Sequence, residues 1–436
     1  MRWRSKGELT MKCLLAFISL VGLCLVLPAA LEAQGESAVP FLLISSAPEG
    51  NGMGGTSATQ PTQDALATIS NPGQLGMFTL NNIFGASTYA PRTDWLPQFN
   101  ISGLTYGTTA VDIGYNFRDL LSLPFSLSAG VGYSRVYIDL GTFTLTNSSG
   151  PTPIGTFNAD ETSESICTAV GLEYYVKFGI GVNFKRIESN LSPVGTEQEQ
   201  GDGNGHSSAV DFGVLLDVPI ARIVSDLART SFDIAPNTAP FLDLSFGYVK
   251  ANVGDKIVYI DAAQADPLPR TAIAGLGAEL GLSSNAGSSE WKLASFRLAH
   301  QADDLLIVRH PDGSSEYQSG LGDIQFVDNV ILGKANSKAT VRKGWQVQVA
   351  EFLYLRGGSV DGPGLAYSTS GYSICLGGFL NFLGLVSPSF GKDSWVGFMG
   401  KHFDLQYHSS KYSDTTSPIN GTSSAALNLV VKGFTL

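Results

Sequence analysis

The residues of this 436-residue chain that could do chemistry are five histidines and a scatter of carboxylates and thiols, and their spacing assembles no reaction centre. The histidines stand at 206, 300, 310, 402 and 408. None belongs to an HExxH helix, and no cysteine or carboxylate cluster has metal-ligand spacing. His402 and His408 fall on one side of a single expected strand, where surface or lumen histidines are the simpler reading. A G-x-S-x-G elbow is absent, so Ser/His/Asp hydrolysis has no anchor, although a barrel hydrolase could draw its site from distant strands. The run Gly52-Met53-Gly54-Gly55 is no phosphate loop, because it lacks the G-x-x-x-x-G-K-[ST] order. Cys167 and Cys375 form neither a disulfide framework nor a metal cluster; one bridge between them is compatible with the sequence, and two isolated small residues are the plainer reading. No catalytic residue, metal or cofactor is therefore assigned, and the chain is not read as an enzyme.

Most of the mature chain reads as strands. Val210, Phe212, Val214, Leu216 and Val218 alternate with Ala209, Asp211, Gly213, Leu215 and Asp217. Phe178, Ile180, Val182 and Phe184 alternate with small or polar residues, as do Leu242, Leu244, Phe246 and Tyr248 and the run from Ala272 to Leu282. A period of two sends successive side chains to opposite faces. The second face is mostly Gly, Ser and Ala with isolated charges, which suits a barrel lumen better than a soluble sandwich. This register points Glu173, Lys185, Asp211, Asp217, Asp243 and Glu279 inward, with Cys167 and Cys375. These charges read as a hydrated, ion-paired wall, or as a grip on an N-terminal segment through its free backbone amides. About 400 mature residues divided among strands of ~10–12 residues give about 14.

Strand candidates include 99–106, 109–117, 124–133, 136–146, 256–261, 345–356, 372–379 and 395–408. Residues 219–229 carry helical spacing instead. Residues 195–206, 311–322 and 409–424 read as loops.

Composition agrees with a lipid-facing barrel. Only 15% of residues are charged, 10% are aromatic, 50 are glycine and the net charge is -11. The acidic balance leaves no basic stripe for nucleic acid. Arg2, Arg4, Lys6 and Lys12 precede an apolar run, Cys13 to Leu27, that is too short to span a bilayer, so residues 1–33 read as a secretory signal peptide. Met11 is an alternative start. Residues 34–78 then form an N-terminal hatch segment and 79–436 the barrel.

Within the hatch, Phe41 opens an apolar stretch, Gly52 to Gly55 form a tight turn, and Thr62 caps a short helix over 62–69 that stops at Asn71-Pro72. The order FL-x-I, GMGG, an Asp64-containing helix and Asn71-Pro72 resembles the N-terminal segment of the PorV/PorQ family. Asn252-Val-Gly-Asp-Lys-Ile-Val-Tyr259 is similar to a second family block. The last residues, Val430 to Leu436, resemble a barrel-assembly terminal strand. The resemblance implies an all-β, FadL-like transmembrane antiparallel barrel in the outer membrane of a Gram-negative bacterium, with the N-terminal segment as a hatch inside the lumen. Phe41, Gly52, Met53, Gly54, Gly55, Asp64, Asn71 and Pro72 would be its ligand- or partner-binding residues. It further implies a type IX secretion component that binds exported proteins with C-terminal sorting domains and hands them over to secretion subunits, surrounded by outer-membrane lipid. A FadL-like channel for a small hydrophobic ligand is the alternative, and a secreted soluble β-sandwich binding module is the second.

Overall fold

The computed structural model describes residues 37–147, 150–193, 202–235, 237–260, 265–284, 291–310, 312, 314–391, 393–414 and 417–433. The expected signal peptide and the terminal Phe434 and Leu436 lie outside these residues.

Fourteen long antiparallel strands run through the described residues: β1 Asn82–Tyr89, β2 Leu104–Asn116, β3 Ser126–Asn147, β4 Gly150–Glu173, β5 Lys177–Asn190, β6 Asn204–Pro219, β7 Thr238–Gly254, β8 Thr271–Ser284, β9 Trp291–Leu305, β10 Thr340–Val349, β11 Leu353–Gly362, β12 Leu365–Cys375, β13 Phe403–Ser413 and β14 Ser423–Lys432. Each pairs with its sequence neighbours, and β1 pairs with both β2 and β14. The ring is therefore closed. Closure leaves no unpaired sheet edge facing lipid, which is the condition for a sheet to cross a bilayer. It also replaces the sandwich alternative, since one sheet curls on itself instead of two packing face to face. No helix among the described residues is long and apolar enough to cross a membrane.

The outward face carries exposed Ile113, Val131, Ile166, Ile180, Phe212, Leu280, Val347 and Leu405, while Ser128, Asn183, Asp211, Gln346 and Asn428 are buried on the inner face. An even number of strands brings both ends of the barrel to the same rim, called here the terminal rim; the other is the distal rim. β3 and β4 outrun their neighbours, so residues 141–147 and 150–159 form a ribbon beyond the distal rim whose ladder partners, among the described residues, are each other.

Several local expectations are corrected. The candidates 99–106 and 109–117 merge into one strand, β2, which begins only at Leu104 while Phe99 ends a 3₁₀ turn, and 124–133 and 136–146 merge into β3, which begins at Ser126. Of the run 256–261, Ile257 and Val258 make isolated bridges in place of a strand, and residue 261 lies outside the described residues. The segment 345–356 folds back at Ala350 and Glu351, both at positive φ, to begin β11. The segment 395–408 is split: Trp395–His402 is helix, capped by Ser394 whose hydroxyl accepts from Gly397 N at 3.0 Å, and only the rest is strand. His402 and His408 thus do not share a strand face. Residues 372–379 divide likewise, because strand gives way at Cys375 to the helix Leu376–Val386. The helix at 219–229 is present as Ile220–Ala228.

Residues 37–81 fill much of the lumen. They enter at the distal rim, where Ala38 N donates to Pro267 O at 3.1 Å, and leave at the terminal rim, where Asn81 O accepts from Gly433 N at 3.0 Å. Between lie three short helices: α1 Pro48–Asn51, α2 Ala67–Ser70 and α3 Gly73–Phe78. Thr62 does not cap α2. Its hydroxyl accepts from Asp64 N, and the Asp64 carboxylate accepts from Leu66 N, which turns the chain one step before the helix begins.

Candidate functional site

The small residues on the lumen face serve close approach. Helix α3 and the Asn71-Pro72 bend lie directly on the backbones of β4, β5 and β6. A Cβ on Gly73 would stand 2.8 Å from Gly179 O and 3.0 Å from Leu215 N, and one on Gly213 would stand 2.6 Å from Pro72 Cδ. The glycines of the lumen face are therefore a bed for the hatch. On the opposite wall Gly54, at φ +73°, lies where a Cβ would meet Lys343 O at 2.8 Å and Ser359 O at 3.0 Å. Positive φ and the lack of room both call for glycine there.

The wall grips the hatch chiefly by donating to its carbonyls. Thr108 donates to Ser46 O at 3.0 Å, Asn183 to Thr68 O at 3.3 Å, Arg297 to Pro61 O at 3.4 Å, Arg342 to Gly54 O at 3.3 Å and Asn428 to Gln63 O at 3.0 Å. Thr369 works in both directions, toward Gly52 O and from Gly54 N. Arg356 meets the hatch carboxylate of Glu49 at 3.0 Å. Inside the hatch, Asn71 Nδ2 donates to Ala58 O and Gln74 Nε2 to Ser57 O and Gln60 O, while Asn71 Nδ2 also donates outward to Val214 O of the wall. Satisfying these carbonyls matters because buried, unpaired backbone groups are costly.

Strand register explains why the arginines act together. Asp243, Glu279, Arg297, Gln346, Arg356 and Gly371 are successive cross-strand partners from β7 to β12, forming one belt around the wall. Glu279 bonds Arg297 at 2.6 Å and Lys292 at 3.0 Å; Asp303 pairs with Arg342. Each wall arginine is thus held in place while it reaches the hatch.

The six charges read from the sequence have other partners. Lys185 pairs with Asp211 at 2.7 Å, Asp217 with Lys177 at 3.5 Å, and Glu173 with Arg222 at 4.0 Å. Asp211 accepts from Asn252 N, and Asn252 Oδ1 accepts from Lys185, so this group braces the wall at a bulge where Asn252 takes positive φ. Asp243 lines the lumen cavity. Among the described hydrogen bonds none joins these six to the hatch; Glu279 acts on it through Arg297. Phe41 and Met53 are buried, Gly52 lies against Gly371, Gly55 lies beside Arg342, and Pro72 O is 3.8 Å from the Cys167 thiol. Cys167 and Cys375 are free thiols.

The hatch divides the lumen into two unlike halves. Distally Val39, Phe41, Leu66, Tyr106, Val136, Ile138, Ile187 and Leu268 form an apolar plug. Toward the terminal rim lies a cavity of about 1260 Å³ lined by charges of both signs, among them Glu49, Lys177, Asp217, Lys292, Asp404 and Lys432. At the boundary, burial works against the Glu49 charge, but Arg356, His408 and the Thr62 hydroxyl hold its carboxyl below the usual value. Burial and the neighbouring Glu49 charge push Asp64 up to about 7.

Sequence reasoning missed Glu49 and the three wall arginines, and it read His408 as a surface or lumen histidine without linking it to the hatch. Arg297, between Phe296 and Leu298, and Arg356, following Leu355 in the run Leu353-Tyr354-Leu355, sit at inward positions of strand-like runs, the signal that could have marked them.

No protein-family model and no curated protein matches the chain. Among solved structures it is similar to the CymD monoaromatic hydrocarbon channel at 9% identity and TM-score 0.42, covering 90% of this chain and 99% of that one. It is similar to the P. putida toluene transporter TodX at 12% identity and TM-score 0.34, covering 90% and 99%. A Pseudomonas aeruginosa FadL homologue follows at 10% and 0.34, covering 89% and 98%. The barrel itself rests on its own closed hydrogen-bond ladder.

Proposed function

We propose that this chain is an outer-membrane barrel that admits small apolar molecules through a lumen controlled by its N-terminal hatch. One observation carries the reading: the distal half of the lumen is lined with aliphatic and aromatic side chains facing Phe41 and Leu66. Pores for hydrated solutes have polar interiors. An apolar lining instead favours an apolar guest, by roughly 0.8 kcal/mol for each methylene buried. Hatch side chains occupy that lining, so passage requires the hatch to shift. The charged vestibule beyond it offers such a guest nothing comparable.

The test compares uptake of a monoaromatic hydrocarbon, the class named for CymD and TodX, with that of a sugar of similar size. Cells carrying the chain should take up the hydrocarbon faster than vector controls and the sugar no faster. Equal hydrocarbon uptake in both strains would refute the channel.

A second reading, binding and hand-over of exported proteins in type IX secretion, is favoured by the ribbon at residues 141–147 and 150–159. It extends past the ladders of β2 and β5, has no ladder partner on either edge among the described residues, and exposes Phe143 and Ile154. Unpaired edges are sites for strand addition by a partner. A pull-down from detergent-solubilised envelopes should then recover secretion subunits, and should lose them when residues 142–158 are replaced by a short turn.

A further inference from the structure

Where the hatch meets the wall, two carboxylates and an imidazole converge. Glu49 and Asp64 belong to the hatch and His408 to β13; one carboxylate oxygen from each acid and one ring nitrogen lie within 4.8 Å of one another. Asp64 is 3% exposed and His408 2%. Asp64 accepts from Leu66 N through Oδ1, while its Oδ2 is buried without a hydrogen-bond partner. A void of about 20 Å³ touches Glu49, Thr62, Asp64 and Gln60, and Gln60 Oε1 is likewise unpartnered. That is room for one water-sized sphere. Arg356 balances Glu49 alone, leaving Asp64 without a counter-charge in bonding distance. Glu49 and His408 also line the vestibule, which gives an ion a way in.

We propose that Glu49, Asp64 and His408 form a site for one divalent transition-metal ion, which clamps the hatch to the wall. Two carboxylate oxygens and one imidazole nitrogen suit Zn²⁺ and its neighbours, whereas Ca²⁺ and Mg²⁺ favour all-oxygen shells of higher number. The imidazole already has an orienting partner: Ser373 Oγ lies 2.6 Å from Nδ1. A hydrogen bond at one ring nitrogen directs the other toward a metal. At Nε2 the ion would displace the longer contact to Gln406 Oε1, at 3.2 Å. The hatch supplies two ligands and the wall one, so binding adds a cross-link to elements otherwise held by packing, hydrogen bonds and the Glu49–Arg356 ion pair. The clamp is independent of what passes through the lumen.

The test uses the full chain in detergent, stripped with a chelating resin, loaded with Zn²⁺ and desalted. About one ion per chain should remain, with an X-ray absorption spectrum showing one imidazole among oxygen ligands, and amide exchange over residues 48–66 should slow. His408→Gln and Asp64→Asn should each weaken retention by about a hundredfold, beyond the lower end of second-shell effects, while His310→Gln leaves it unchanged. No retained zinc, retention unaffected by both site variants, or unchanged exchange would overturn the site. Should the variants fail to fold, a wild-type spectrum with no imidazole, or with several, would overturn it alone.

Discussion

The Arg356 guanidinium and the Glu49 carboxylate meet at 3.0 Å, joining barrel wall to hatch across 307 positions of sequence. Arg356 is almost wholly buried and also donates to Gln346 Oε1 at 2.6 Å and to the Ser373 hydroxyl. Its orientation is therefore set by the wall before Glu49 arrives. Breaking a buried pair by removing one partner strands a charge and costs about 3–5 kcal/mol, whereas removing both charges costs far less.

Arg356→Ala should consequently loosen the hatch without dissolving the barrel. In chelator, amide exchange over residues 48–60 should accelerate by about two to four orders of magnitude, the equivalent of that cost at ~1.4 kcal/mol per decade. Adding Glu49→Gln removes the stranded charge and should recover part of the protection. Exchange as fast in the double variant as in the single would show that the pair is not what secures the hatch.

The glycine bed makes a steric prediction. Gly213→Val drives a side chain into Pro72 and should lift α3 at a cost of ~1–3 kcal/mol. Cys167 reports the outcome, because its thiol is covered by Pro72. Maleimide should label Cys167 in the variant much faster than in the parent chain. Gly155→Val, where nothing lies within 4 Å of the added carbon, should leave labelling unchanged.

These two cases show what the sequence could and could not disclose. The barrel was legible because alternation is local: Phe212 beside Gly213 already reveals which face meets lipid. Asn252, picked out by resemblance, proves to be the bulge residue bracing Lys185 and Asp211. The grip on the hatch was not legible, since Arg297, Gln346 and Arg356 become neighbours only through the register of β9, β10 and β11. Alternation fixes faces but not which residues stand level. The two helices between β12 and β13 were hidden for another reason: Leu376–Val386 follows a strand without any polar break, and short apolar runs look alike as helix or strand.

Removing residues 41–75 should separate the roles of wall and hatch. All fourteen strands pair with one another, so the ring does not require the hatch for its hydrogen bonds. The apolar plug does, because Phe41 and Leu66 are part of it. The truncated chain should still migrate as a heat-modifiable barrel and should conduct ions in a planar bilayer where the full chain does not. A truncated chain that never acquires the heat-modifiable form would make the segment a folding element and not a gate.

The helices between β12 and β13 predict where the barrel sits against lipid. Leu376, Phe379, Phe382 and Val386 recur at three- and four-residue spacing and are exposed, as are Trp395 and Phe398 on the following helix. Phe379 and Phe382 also touch Phe352 in the β10–β11 turn, and Phe382 stacks near Trp291, so the pair is fixed to the rim. Ile374 and Leu405, on the adjoining strands, are exposed on the outer face and continue the apolar surface. Aromatics at the edge of such a band settle at the headgroup level. With the other tryptophans replaced by Phe, emission from Trp395 should be quenched most by lipids brominated near the headgroup and little by aqueous iodide. Strong iodide quenching without a bromine effect would place these helices in water, where their apolar face would need a protein to cover it.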